Sequence, residues 1–244
     1  MKGERTRAGI LERAVDLASL DGLEGVTIGR LADELSMSKS GLFAHFGSKE
    51  ELQLATVEAA RDRFVEEVVR PALAAPRGYP RLIAICRSWL DYVRRRVFPG
   101  GCFFAAASFE FDGRPGAVRD AIAKAMDEWL ATLEKAIRMA KEEGHLGPKV
   151  DPAQLAFELN ALFFGANFAW NLRHDAKAFA RAQRAIEERL RSVVITSVNE
   201  GPGRSGGARK DASRAARPHR SLADARDDRA RSSPRLRRAR RKKA

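Results

Sequence analysis

The chain is expected to be all-α, with three short N-terminal helices, about six longer ones and a disordered basic tail. Three observations predict this. Apolar residues recur at spacings of three and four through residues 1–200, the period of a helix with one buried face. No run of alternating β-branched residues is long enough for a sheet. Charge is segregated: residues 201–244 carry 16 Lys and Arg against 4 Asp, while residues 1–200 carry 29 against 28.

Composition bounds the rest. The chain has 244 residues and is 44% hydrophobic, enough to build a core. No stretch reaches the roughly 20 uncharged apolar residues of a membrane span, so no membrane partner is expected. The start, Met1 to Arg5, is charged and lacks the apolar segment of a secretory signal. Two cysteines, Cys86 and Cys102, are too few for a disulfide framework or a four-ligand zinc site, which points to a reducing compartment. Both fall in apolar segments and read as core thiols, with a redox pair as the alternative. There is no Gly-rich phosphate loop, no G-x-S-x-G and no H-E-x-x-H. Neither an enzyme nor a cofactor is predicted.

The elements follow in order. Ile10, Leu11, Ala14, Leu17 and Ala18 make the stripe of a first helix over 4–21, which Gly22 stops. Thr27 caps a second helix with Ile28, Leu31, Ala32 and Leu35 inward. After a break at Ser36 and Met37, Ser38 caps a short third helix with Leu42, Phe43 and Phe46 inward, and Gly47 ends it. Ser48 and Glu51 form a capping box that opens a helix to about Val69. Pro71, Pro76, Gly78 and Pro80 read as a break. A fifth helix over about 81–97 carries Leu82, Ile85, Cys86, Trp89 and Val93. A short apolar segment over 102–109 comes next, then a long helix over 117–143 with Val118, Ile122, Ala125, Trp129, Leu133 and Ile137 on one face. Asp151 and Pro152 cap a helix to about Leu172 that is apolar on nearly every side and so needs cover on several faces. The last helix spans about 177–198. Residues 200–244 hold almost no large apolar side chains and read as disordered. Their Arg-rich end is either a sequence-tolerant phosphate binder or an accidental extension.

Residues 27–46 have the length and spacing of a helix-turn-helix, with Ala32 at the close crossing and Met37 plugging the turn. The outer face of the third helix offers Ser38, Lys39, Ser40, Gly41, Ala44 and His45, small and polar enough to enter a major groove about 12 Å wide. His45 reads as a groove or phosphate contact, or as a structural polar residue. Lys49 stands at a helix N-terminus, where free N–H groups already favour phosphate. Residues 6–57 resemble the DNA-binding domain of the TetR family of bacterial repressors. The resemblance rests on Leu31-Ala32, Met37-Ser38, Leu42-Phe43-Ala44-His45-Phe46, Lys49-Glu50 and Leu52.

The resemblance implies a division into 1–48 (helix-turn-helix), 49–199 (helical effector-binding and dimerisation domain) and 200–244 (tail). It implies DNA contacts from Thr27, Arg30, Ser38, Lys39, Ser40, Gly41, Phe43, His45 and Lys49. Three positions depart from the family pattern. Phe43 replaces a usual Tyr, Gly29 a common Arg, and Gly41 a frequent base-contacting residue. Fewer side-chain base contacts and more reliance on DNA shape are therefore expected. Further implied are an effector pocket among the middle helices, with Trp89, Phe103, Phe104, Phe109, Trp129, Phe163 and Phe164 as candidate lining, and a homodimer through the last two helices. The partners would be a palindromic double-stranded operator and a small-molecule effector, in a bacterial cytoplasm and on the nucleoid. The competing expectation is a sequence-tolerant chromosome-associated protein driven by the basic tail.

Overall fold

Helix caps and apolar periodicity set the order of elements in the computed structural model, which describes residues 2–195. The tail expected over 200–244 lies outside these residues. The helices are α1 (Lys2–Asp21), α2 (Ile28–Glu34), α3 (Lys39–Phe46), α4 (Lys49–Phe64), α5 (Tyr79–Arg94), α6 (Phe103–Phe111), α7 (Ala117–Glu142), α8 (Pro152–Arg173) and α9 (Ala178–Arg191). Among the described residues there is no sheet, only an isolated bridge between Leu146 and Val194.

The predicted caps form as side-chain hydrogen bonds. Thr27 Oγ1 accepts the Arg30 N–H at 3.2 Å, Ser38 Oγ the Gly41 N–H at 3.0 Å, and Ser48 Oγ the Glu51 N–H at 3.0 Å. Asp151 accepts from Ala153 and Gln154 at the start of α8. Two proline readings change. Pro71 does not break the chain: α4 continues through a π-helical turn (Val65–Val69) into a last turn (Arg70–Ala72), where Pro71 occupies a first-turn position. Pro80 likewise sits in the first turn of α5, where a missing N–H has no intrahelical partner to lose.

Packing then places the cavity and the helix-turn-helix. Helices α4, α5 and α8 lie against α7, and α9 covers α8. The centre is aromatic. Trp89 stacks on Phe163 at 4.6 Å between centroids, and Phe64 meets Trp129, Tyr92 and Phe104 edge-on at 5.0–5.9 Å. Helix α1 packs on both α4 and α6. Its docking requires glycine at position 100, where a Cβ would lie 1.7 Å from the Ser19 carbonyl oxygen. The Gly100 N–H donates to Ser19 Oγ at 3.1 Å.

His145 follows a helix C-terminus in sequence, but its Nδ1 accepts the Tyr79 N–H at 3.2 Å and so caps the N-terminus of α5. Gly78, at φ +93°, makes room for that ring.

Helix α8 buries Leu155, Leu159 and Phe163 completely. Its opposite side leaves Phe157, Phe168 and Leu172 between 53% and 67% exposed. One copy of the chain therefore satisfies one face of this helix only. Phe163→Ala is expected to cost about 3–5 kcal/mol, since the ring is fully buried and stacked. Denaturant unfolding followed by tryptophan fluorescence measures this.

Candidate functional site

The first candidate site is the outer surface of α2 and α3. Leu31, Ala32, Leu42 and Phe46 are buried and lock the two helices together, while Met37 packs against the core from the turn. Ser38, Lys39, Ser40 and Phe43 are exposed, and Gly41 and His45 are partly so. A Cβ on Gly29 would sit 3.6 Å from Lys39 Cε, so the missing side chain on α2 is where Lys39 passes. A Cβ on Gly41 would lie 2.9 Å from the Ser38 cap oxygen. Phe43, expected inward, is 53% exposed: Leu42 and Phe46, four residues apart, fill the buried face, and the next position turns its bare ring outward.

Two cations of this face are already engaged within the chain. The Arg30 guanidinium pairs with Asp21, and the Lys49 ammonium pairs with Glu24. Lys49 first, then a hydrogen bond from Gln53, hold the Glu24 carboxyl below the ordinary carboxylate range. Asp21 ends α1, and Glu24 lies in the segment between α1 and α2. That segment is gripped from the other side by Glu110 of α6, whose carboxylate accepts the Leu23 N–H at 2.7 Å and the Glu24 N–H at 2.9 Å. Gln53 of α4 donates to the Leu23 carbonyl at 3.1 Å. None of these pairings was legible in the sequence. In the sequence Glu110 reads as an acid of a solvated loop, or as a selector for a cationic ligand, and it lies more than 80 residues from the amides it binds.

The second site is a cavity of about 410 Å³ between α4, α5, α6, α7 and α8. Phe64, Val65 and Val69 close it on the α4 side, Cys102 and Phe104 at the start of α6, and Met126, Trp129 and Thr132 from α7. Of the candidate lining residues, Trp89, Phe104, Trp129 and Phe164 reach this cavity. Phe103 and Phe163 are buried in the packing behind it. Phe109 is 69% exposed, on the outward side of α6 beside Phe164. Sequence periodicity did not reveal Arg61 and Glu128, which meet at 2.5 Å in the wall.

Burial pushes the Cys86 thiol up to about 12 and raises that of Cys102, so at neutral pH both are protonated core thiols. Among the described residues no group of His, Cys, Asp and Glu has metal-binding geometry, and no helix is long and apolar enough to cross a membrane.

A helix-turn-helix head joined to a cavity-bearing helical domain defines a DNA-binding regulator. Residues 10–56 match the model for bacterial regulatory proteins of the tetR family, and residues 78–186 match that for the tetracyclin repressor-like C-terminal domain. The chain belongs to the TetR family of transcriptional regulators. Its fold is that of a TetR regulator from Chloroflexus aurantiacus J-10-FL, at 24% identity over 79% of this chain and 98% of that one, with a TM-score of 0.74. A TetR-family regulator from Cytophaga hutchinsonii matches at 19% identity over 81% and 98%, with a TM-score of 0.72. AibR, solved in complex with isovaleryl coenzyme A and operator DNA, matches at 25% identity over 77% and 97%, with a TM-score of 0.58. No curated protein matches the chain.

The Glu24–Lys49 pair competes with any phosphate that Lys49 meets. Glu24→Gln is expected to tighten DNA binding by about two- to five-fold, the worth of one exposed ion pair. Fluorescence anisotropy with labelled duplex checks this, and unchanged affinity would remove Lys49 from the contact surface.

Proposed function

We propose that the chain is a homodimeric, effector-controlled repressor of a palindromic operator, acting in the bacterial cytoplasm on the nucleoid. The observation that carries this reading is the course of α4. It is a single helix of 16 residues, about 24 Å long. At its N-terminus Lys49 stands beside the α3 recognition helix, and at its far end Arg61 and Phe64 enter the cavity wall. A molecule in the cavity that favours one position of α4 therefore biases the position of the reading head. It shifts that equilibrium only by its differential affinity for the two positions.

The dimer reading is supported by α8. Phe157, Ala161, Gly165, Phe168 and Leu172 follow at helical spacing along its exposed side, and a Cβ on Gly165 would meet nothing within 4 Å. A second copy related by a twofold axis covers such a stripe with the same stripe. Two copies of α3 about 34–36 Å apart then read successive major grooves of a palindrome. Thr27, His45 and Lys49 serve phosphate, Lys39 and Ser40 serve base edges, and Arg30, Ser38, Gly41 and Phe43 shape the approach. The solved complex of AibR with an acyl-coenzyme A and operator DNA supports a fold that takes both kinds of partner.

Selection of random duplexes by the full chain at about 150 mM salt, near physiological strength, tests the operator reading. Enrichment of one palindrome is expected, and Lys39→Ala should abolish that preference. Equal retention of all sequences would instead point to the basic tail as the binder. Phe168→Glu is expected to convert the dimer to monomer in sedimentation, because it buries an unpaired charge in the proposed interface. An unchanged dimer would place the interface elsewhere.

A further inference from the structure

Every polar group seen on the cavity wall has a partner within the protein. Trp129 Nε1 donates to Asn160 Oδ1 at 3.0 Å, Thr132 Oγ1 donates to the Glu128 carbonyl at 2.8 Å, and Cys102 Sγ accepts the Ala105 N–H at 3.3 Å. The two lining charges, Arg61 and Glu128, neutralise each other at 2.5 Å across α4 and α7. Both are less than half exposed, so they stand at the mouth, between solvent and the ring-lined interior. Beyond them the wall is Phe, Trp, Val, Met and Ala, with Cys102 and Thr132 as its remaining members.

We infer that this cavity takes an uncharged, largely hydrophobic ligand, and that the Arg61–Glu128 pair enforces that neutrality. The inference rests on the effector reading above. A carboxylate entering the cavity finds one cation, already paired. Taking Arg61 releases Glu128 and exchanges one ion pair for another. An ammonium taking Glu128 releases Arg61 with the same result, leaving Asp62 at 3.5 Å as its neighbour. A charge carried past the mouth loses its water and meets no free partner, which is the costly case. An apolar ligand faces neither loss, and gains by covering aromatic surface. Arg61 and Glu128 are thus specificity-determining residues: each cancels the attraction the other would exert on a charged ligand.

The test uses three ligands of one size: 2-(2-naphthyl)ethanol, 2-naphthylacetate and 2-(2-naphthyl)ethylammonium. Each is titrated into the full-length protein by calorimetry at neutral pH. The alcohol is expected to bind at least about tenfold more tightly than either ion, a gap of roughly 1.4 kcal/mol. Ala125→Trp, which fills the cavity, should remove its binding. Glu128→Gln leaves Arg61 with only the more distant Asp62 and should favour the carboxylate over the ammonium by about tenfold, while Arg61→Gln should reverse that order. The inference is overturned if either ion binds the unmodified protein as tightly as the alcohol, if none of the three binds, or if the two variants change all three ligands alike. Alcohol binding that leaves operator affinity unchanged would uphold the ligand class and sink the effector reading, so the two fail separately.

Discussion

The Glu110 carboxylate is the joint on which the working geometry depends. Its two oxygens accept the N–H groups of Leu23 and Glu24, in a segment that no helix satisfies. Charge-assisted bonds of this kind are short and strong, and a buried amide left without one is costly. Glu24, held there, reaches Lys49, and Gln53 of α4 closes the arrangement from the opposite side. The segment between α1 and α2 is therefore shared between α6 and α4. Those two helices also furnish cavity walls, through Cys102 and Phe104 on one and Phe64 on the other. The helix-turn-helix and the cavity are thus built on the same pair of elements.

The π-helical turn at Val65–Val69 belongs to the same design. Turns of this type put an extra residue into the helix and recur at functional positions. Here Val65 and Val69 face the cavity while Val68 is buried in the core. The π-helical turn thus serves the cavity while it also packs on α5. Helix α8 makes a comparable division of labour. Its inner face completes the aromatic core through Phe163, and its outer face remains apolar and uncovered in one copy.

Local structure was legible because its causes lie within a few residues of one another. Thr27, Ser38, Ser48 and Asp151 each cap a helix whose first amide is two or three positions ahead. The faces of α5 and α7 followed from period alone, with Leu82, Trp89, Val93, Ile122 and Leu133 buried as the spacing requires. The aromatic residues were a harder case. Phe103, Phe109 and Phe163 share the residue type of Phe104 and Phe164, yet only the latter two line the cavity. Period tells that a ring is apolar and on which side of its helix it stands. It does not tell whether the neighbouring helix fills the space in front of it.

The sequence by itself determined the all-α class, the helix-turn-helix with its exposed Lys39 and Ser40, and the surplus of apolar surface on α8. These are properties of spacing along one helix. Only the tertiary structure decided that Glu110 grips Leu23 and Glu24, that Arg61 meets Glu128, and that about 410 Å³ stays open beside Trp129. Each of these joins residues tens of positions apart. Their meeting depends on how whole helices cross, which is settled by the packing of the core and leaves no local trace in the chain.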